Sequence, residues 1–568
     1  WEKRLAYELL ADLLNDKDLE EAKSNVTRRY ERLRRTLRDT EAHEVQEVFL
    51  SSFSKLYDPH SSFLSASTLE DFSIQMQLSL VGIGAQLLSE DGYCTIKELI
   101  PGGPAALDLR LKPNDRIVAV AQDGEEPVDV IDMKLRHVVE MIRGEKGTTV
   151  HLTVIPAEAT DSSVRRTISL VRDEIRLTAS RARATGHEVP GEDGQIVPVG
   201  VIEVPSFYGS VGSERPGHTK TSTTDDVREL IGVLKEAGIE ALVLDFRRNG
   251  GGLLTEAIRL TGLFIESGPV VQVKSSNGDL RVDPDKDPSV AYSGPLGILV
   301  SRNSASASEI VAGALKSYNR ALILGESSTH GKGTVQAIYE LKNYLFRSAA
   351  KTGAAKLTVQ KFYLPDGQST QNRGVVPHIV FPSFNDYLPV GEADLPNALA
   401  WDTIPVGNWE EERDRFPIRS PLESDLITRL QKRSEARQQQ LEEFQYLRGN
   451  IEWLRERQEQ NSISLNLEER RTQKELDEEF REKMKATEKR LAQDDFDFEE
   501  FTLDSVDEPE VATVELDLDA DSDVDSEESS ERSTLDIHLR ESLRILADLV
   551  DLGDSVWAVT AQKAENSK

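Results

Sequence analysis

The chain has 568 residues, which at roughly 150 residues per domain predicts several cores rather than one. Its hydrophobic fraction of 38% reaches about 44% with the 36 glycines counted, just under the usual globular composition, and this excludes wholesale disorder. Lys and Arg number 68 against 100 Asp and Glu, a net charge of −32, which argues against a phosphate-backbone binder and removes nucleic acid from the expected partners.

From Trp1 to about Leu64 the pattern predicts an amphipathic helical module, with Leu5, Leu9, Leu10, Leu13 and Leu14 at three- and four-residue steps. The chain opens inside that helical pattern, so a leader or further N-terminal sequence is expected to be missing. Asp58-Pro59-His60-Ser61-Ser62 breaks the module, because Pro removes a backbone donor and disfavours helix at the residue before it. Short strands and glycine turns follow from Leu80 to Pro156. Gly82-Ile83-Gly84-Ala85 leads a strand, Pro101-Gly102-Gly103-Pro104-Ala105 turns into a short helix, and Leu111 to Ile117 leads into another strand; a helix is expected near Met133 to Ile142 and a strand over Thr149 to Ile155. This order of motifs resembles a PDZ domain. The resemblance implies that backbone donors of Gly82, Ile83, Gly84 and Ala85 hold a peptide's terminal carboxylate while the peptide adds as a strand; the plainer alternative is a small β-barrel with packing glycines. The one cysteine, Cys94, has no intrachain partner, and no Cys/His cluster has zinc spacing.

Between Asp173 and Phe384 predicted strands (Gly200 to Val204, Ala241 to Phe246, Leu296 to Val300, Ala321 to Leu324) alternate with helices (Asp225 to Ala237, Leu254 to Phe264, Ser308 to Lys316), the signature of α/β layers. Beyond Ala393 the chain reads as charged helix, with Leu422 to Arg457 and Leu467 to Leu491 as long polar helices. Asp494 to Glu531 holds 18 acids and no Lys or Arg and is expected to be a disordered insertion. Asp517, Asp519, Asp521, Asp525 and Glu528 match a calcium-loop template there, but Ser522 stands where that loop requires Gly. Leu535 to Leu549 resumes an apolar helical pattern able to dock on the body. No apolar run approaches the ~18 residues that span a bilayer.

Three segments carry chemistry. Ser301 to Ile310 leaves an apolar strand and enters a helix. Ser306 and Glu309 fit a capping box, yet a hydroxyl at a helix N-terminus also sits beside free N–H groups that could hold an oxyanion. Gly325 to Gln336 is a glycine turn with a lysine. A phosphate loop is the rival reading and fails twice, since five residues separate Gly325 from Gly331 and Gly333 stands where Ser or Thr should bind magnesium. Asp245-Phe246-Arg247-Arg248-Asn249-Gly250-Gly251-Gly252 ends a strand in three glycines, which let backbone amides approach a ligand.

Together, Asn249 to Gly252, Ser304 to Glu309 and Gly331 to Gln336 resemble the S41 C-terminal processing peptidases, serine proteases with a lysine base. Lys361-Phe362-Tyr363, Ser369-Thr370-Gln371 and Gly374-Val375-Val376-Pro377 follow as in that family, and the flanks Tyr57-Asp58-Pro59-His60 and Glu443-Phe444-Gln445-Tyr446 are most similar to its tail-specific protease branch. The resemblance implies Ser306 as nucleophile, Lys332 as general base, Gln336 as the holder of the lysine amine, and the amides of Gly252 and Ala307 as oxyanion donors. If Lys332 to Gln336 is one extended strand, both side chains share a face. The expected architecture is multidomain α+β: helical module and linker 1–79, PDZ domain 80–156, α/β serine protease core 157–392, and C-terminal helical domain 393–568 with the acidic insertion at 494–531. The implied activity is a serine endopeptidase that recognises apolar C-terminal tails of proteins, needs no metal or organic cofactor, and is exported to the periplasm. The family resemblance also leaves room for an envelope adaptor and for peripheral association with the inner-membrane face. The rival class is a catalytically inactive PDZ scaffold. Two departures stand out: the loop before the Gly-Lys pair is one residue longer, and Ser317 replaces an acid the branch carries eleven positions after the nucleophile. His330 reads as a loop histidine rather than a base.

Overall fold

The computed structural model describes residues 1–192, 194–210, 221–344, 352–406, 409–413, 416, 422–460, 462–503 and 535–565. Leu296–Val300 is buried at every position, the pattern of a parallel strand covered on both faces. It is the third strand of a seven-stranded sheet ordered Ile379–Val380, Leu322–Gly325, Leu296–Val300, Ala241–Asp245, Ile196–Glu203, Arg183–Pro190, Phe498–Phe501. The first five strands run parallel and the last two are antiparallel additions. Helices Thr223–Glu236, Leu254–Gly262 and Ala307–Ser317 bury their apolar residues against one face. On the other face Leu422, Leu426 and Leu430 pack with Leu543, Leu546 and Leu549 over Val199, Val243 and Leu324.

A second sheet joins Ser62–Leu64, Ala354–Tyr363, Gly268–Ser275 and Leu280–Asp285, with Thr334–Glu340 also paired to Ala354–Tyr363. The linker after the N-terminal helices (Glu2–Leu13, Leu19–Asp39, Ala42–Ser54) therefore enters the sheet that carries the lysine segment. The PDZ domain is a six-stranded sheet, Ala85–Glu90, Tyr93–Leu99, Arg116–Gln122, Thr149–Ile155 and Arg166–Val171 in order, with Val128–Asp129 beside the third, and helix Leu135–Ile142. That helix is tied to the N-terminal module by Lys134, which lies 3.1 Å from Glu44, and to the following helix Ala66–Gln77 by Arg136, which lies 3.2 Å from Asp71.

Several expectations are corrected. The six-stranded sheet draws in chain beyond 156, since Arg166–Val171 pairs with Thr149–Val154, and Asp173–Arg176 pairs with Ser79–Gly82 in a separate two-stranded sheet. The stretch expected to run as one helix from Leu422 to Arg457 is two, Ser424–Gln440 and Glu442–Glu459, parted at Leu441, whose extended ψ of 136° lets Phe444 turn into a separate core with Leu491. The start of the acidic stretch is not disordered: Phe498–Phe501 pairs with Ala184–His187, Phe498 stacks on His187 at 5.5 Å, and Gly186 leaves room for the Phe501 ring. The aromatic residues set among the acids supply the edge strand's packing. The calcium-loop residues Asp517, Asp519, Asp521, Asp525 and Glu528 lie outside the described residues. Among the described residues no helix is long and apolar enough to cross a membrane.

Candidate active site

The interior strand Leu296–Val300 leads out at Val300, and the chain must reverse into helix Ala307–Ser317 within six residues. Hydroxyls make that turn. Ser304 Oγ accepts from Ser301 N at 2.9 Å and donates to Phe246 O at 2.8 Å, while Ser301 Oγ donates to Arg247 O at 2.6 Å. Ser306 then adopts φ 56° and ψ −109°, a left-handed conformation that costs a β-carbon residue about 1–3 kcal/mol. The glycine turn packs directly on it, since a Cβ on Gly251 would lie 2.9 Å from Ser306 Cβ and 3.3 Å from Ala307 N. Asn249 ties the two segments, its carbonyl accepting from Ala305 N at 3.1 Å and Ser308 Oγ at 2.8 Å. Gly252 has φ 145°, and a Cβ there would sit 2.3 Å from Phe207 O, so only glycine fits. Phe207 N donates to Gly251 O and Leu253 N to Phe207 O, which turns the intervening Gly252 N–H away from Phe207. Among the described residues neither Gly252 N nor Ala307 N has a hydrogen-bond partner.

The fully buried carboxylate of Glu309 joins this turn to the lysine loop. Its Oε2 accepts from Ser306 N at 2.7 Å and Lys332 N at 2.9 Å, and its Oε1 from Gly331 N at 2.7 Å and Thr329 Oγ1 at 2.6 Å. The backbones of Ser306 and Lys332 are thus within reach of one oxygen atom. Burial pushes the Glu309 carboxyl up to about 7, against the four donors, which pull it down. Loss of hydration, reinforced by the charge of Lys356, brings the Lys332 amine down to about 8, opposed by Glu392, Glu309 and Asp58. Among the described residues Lys332 Nζ has no hydrogen-bond partner, and no hydrogen bond joins it to Ser306 Oγ.

Gln336 does not lie on one regular strand with Lys332. The strand begins at Thr334, and its register shifts between Val335 and Gln336, so the count of four residues does not set a common face. Instead Gln336 Nε2 donates to Thr334 Oγ1 at 3.0 Å and Thr358 Oγ1 at 3.1 Å. His330 Nδ1 faces Glu392 Oε2 at 3.7 Å, and His330 N donates to Ser304 O. Ser317 closes the far end of the helix, where Trp409 Nε1 donates to its carbonyl. At 1.5 Å rise per residue that end is roughly 16 Å from Ser306.

In the PDZ domain Gly82 is the last residue of a strand paired with Asp173–Arg176, Ile83 O accepts from Ala105 N, and Gly84 O accepts from Ile100 N. A Cβ on Gly84, at φ 74°, would lie 3.0 Å from Gly103 Cα, so two glycines set this loop against the Pro101–Pro104 turn. Ala85 opens a strand that, among the described residues, pairs only with Tyr93–Leu99 and leaves its other edge open. Sequence reasoning treated Glu309 only as a cap and gave no part in the site to Asp58, Lys356, Thr358 or Glu392. The polar cluster after the N-terminal helices was the one local signal for Asp58; the others come from distant segments and carry none.

Family models match along the chain: the tail specific protease N-terminal domain at residues 1–67, a PDZ domain at 71–155, peptidase family S41 at 198–381, and the C-terminal domain of tail specific protease at 385–551. The chain is 37% identical over 84% of its length to a tail-specific protease of Haemophilus influenzae, covering 65% of it. It is 30% identical over 62% of its length to a carboxy-terminal processing protease of Bacillus subtilis, covering 66% of that protein. The chain thus spans just under two thirds of the length of these relatives. A solved PDZ domain of a carboxy-terminal protease from Vibrio cholerae is 48% identical and covers 18% of this chain and 100% of that one, at a TM-score of 0.17.

Proposed function

The chain belongs to peptidase family S41, and from that premise we propose that it is a serine endopeptidase of the tail-specific kind, in which Ser306 and Lys332 cleave substrates whose apolar C-terminal tails the PDZ domain has captured. The observation that carries this reading is the meeting of Ser306 N and Lys332 N on the one buried Glu309 oxygen, beside an amine lowered to about 8.

Neutral Lys332 takes the Ser306 proton as Oγ attacks the peptide carbonyl, and the resulting ammonium protonates the leaving amine. Water then attacks the acyl-enzyme by the reverse proton path. The free amides of Gly252 and Ala307 face the developing oxyanion, the second at the positive end of its helix. The Gln336 amide oxygen, the end not spent on Thr334 and Thr358, is left to accept from the lysine amine when Lys332 turns toward Ser306. Lys332 has four rotatable side-chain bonds, enough freedom for Nζ to reach Ser306 when substrate enters. The substrate's terminal carboxylate rests on the Gly82-Ile83-Gly84-Ala85 loop, and its tail lies along the open edge of Ala85–Glu90. Exported envelope proteins fit as substrates of a periplasmic enzyme, with an adaptor or the inner-membrane face as a further partner.

The decisive test compares tail binding and cleavage in Ser306→Ala and Lys332→Ala. Both variants should hold an apolar-tailed reporter as wild type does and lose cleavage. Cleavage retained by Lys332→Ala and lost by His330→Ala would overturn the base assignment. An inactive scaffold would cut in no variant, wild type included.

A further inference from the structure

The linker between the N-terminal helices and the PDZ domain reaches into the neighbourhood of the lysine. Asp58 is 6% exposed, and four donors surround it: its Oδ1 accepts from Thr358 Oγ1 at 2.7 Å, His60 N at 2.9 Å and Ser61 N at 3.0 Å, and its Oδ2 from Ser61 Oγ at 2.5 Å. Burial alone would raise this carboxyl, but the hydrogen bonds from Ser61, Thr358 and the loop amides outweigh it and hold it below the usual range, so it is an anion that only accepts.

That fixes the next two groups. A threonine hydroxyl has one proton, and Thr358 gives it to Asp58, so Thr358 Oγ1 can only accept from its other neighbour. The neighbour is the Gln336 amide, which must therefore turn its NH2 toward Thr358 and keep its carbonyl oxygen free. The amide's second N–H goes to Thr334 Oγ1. The polarity of the whole line, Gln336 to Thr358 to Asp58, is dictated by the anion at its end, and the line finishes with an acceptor able to meet a lysine amine. The same loop has a second arm: His60 Nε2 lies 2.7 Å from Glu392 Oε2, Glu392 Oε1 accepts from Gln371 Nε2 at 2.9 Å, and Gln371 Oε1 accepts from Gly333 N, the residue after Lys332, at 2.8 Å.

We infer that Asp58, from the N-terminal module, is a positioning residue for the proposed dyad, acting through Thr358 to set which end of the Gln336 amide faces Lys332. The inference rests on the Ser306/Lys332 reading and extends it to a segment more than two hundred residues before the nucleophile. It gives the helical module a part in catalysis, since the loop that joins the sheet at Ser62–Leu64 also orients the base.

The test uses the full chain and a fluorescence-quenched peptide ending in three valines. Asp58→Asn and Thr358→Val should each lower kcat at least about tenfold, the scale of a hydrogen bond to a charged group, with KM within about twofold of wild type. Thr358→Ser, which keeps the hydroxyl, should restore kcat to within about twofold. On a Gln336→Ala background, at a pH where Lys332 is already neutral and loss of the Asp58 charge no longer changes its protonation, Asp58→Asn should change kcat less than about twofold, because the positioning effect acts through Gln336. A full additive loss on that background, or a Thr358→Ser as slow as Thr358→Val, overturns the inference. Should Asp58→Asn fail to fold, the Thr358 pair decides alone, since it leaves the loop's own bonds to Asp58 intact. Ser306→Ala that still cleaves would sink the protease reading itself. An inert Ser306→Ala beside wild-type rates in Asp58→Asn and Thr358→Val would sink this inference only.

Discussion

Glu309 accepts four hydrogen bonds and donates none, so an isosteric Glu309→Gln must set an NH2 against at least one of Ser306 N, Lys332 N, Gly331 N and Thr329 Oγ1. One buried donor left without an acceptor costs about 1–3 kcal/mol, and Glu309→Gln should show both a lowered melting temperature and a lowered kcat, because the bonds it breaks also seat the strained Ser306. The carboxyl's folded-state value of about 7 lies above its ordinary range. Its contribution to stability is therefore fully present below about pH 4.5 and is lost as pH rises through about 7. Glu309→Gln should flatten that part of the stability profile, and an unaltered slope in urea melts at pH 5 and 8 would contradict it. Lys332 works in the opposite sense for rate. As the proposed base it must be neutral, so kcat/KM should rise with pH through about 8. Lys356, on the strand beside the lysine segment, is one of the causes of that low value. Lys356→Met removes a positive charge, so Lys332 should hold its proton more tightly and the acidic limb of kcat/KM should move to higher pH. A limb that stays put, or moves down, would show that Lys332 is not the group titrating there.

Helix Ala307–Ser317 has both ends engaged and only one of them at the site. Its first turn carries Ala307 N and Glu309, and its last turn puts Ser317 Oγ on Gly313 O at 2.9 Å and Trp409 on the Ser317 carbonyl. The acid expected at 317 from resemblance would thus stand a whole helix away from Ser306. Ser317→Asp should leave kcat within about twofold and lower stability by about 0.3–1 kcal/mol, because a negative charge meets the negative end of the helix; a many-fold change in kcat would mean that this end communicates with the proposed nucleophile. The helix and the strand before it were legible in sequence because both are local patterns: a buried apolar run, a serine-rich turn, and an amphipathic helix in immediate succession. The Lys332–Gln336 relation was not, because a register shift between Val335 and Gln336 breaks the two-residue period on which the expectation stood. Thr358 and Glu392 were beyond local reading altogether, and the polar cluster that marks Asp58 does not say what it meets. Asp58 and Thr358 are 300 residues apart in sequence, and only the pairing of Ser62–Leu64 with Ala354–Lys356 puts them in contact.

At the scale of the whole molecule the protease sheet is finished by chain that sequence reading set in a separate C-terminal domain. The apolar pattern of Leu535 to Leu549 was visible, but where it docks depends on a sheet face (Val199, Val243, Leu324) left open more than 200 residues earlier, which no local signal records. Arg247, at the entrance to the glycine turn, is held by Asp245 and by Asp536 at 2.7 and 2.6 Å, so the start of the last helix also braces the segment leading to Gly252. Leu543, Ile545, Leu546 and Leu549 of that helix are each no more than 1% exposed. At about 1.5–3 kcal/mol for each buried aliphatic side chain, these four contribute on the order of 10 kcal/mol, comparable with the whole net stability of an ordinary domain. A chain ended after Leu503 keeps Ser306, Lys332, Glu309 and the Asp58 relay in sequence, yet exposes Val199, Val243 and Leu324 on the uncovered face. It should therefore fail to fold: near-ultraviolet circular dichroism should lose its fixed aromatic signal, and cleavage should vanish even though every proposed catalytic residue is present. Adding residues 535–568 back as a separate peptide should restore part of both signals if docking on the sheet is the reason. A soluble chain ended at Leu503 that cleaves at the wild-type rate would show instead that the sheet face is stable uncovered and that the last helix belongs to a domain of its own.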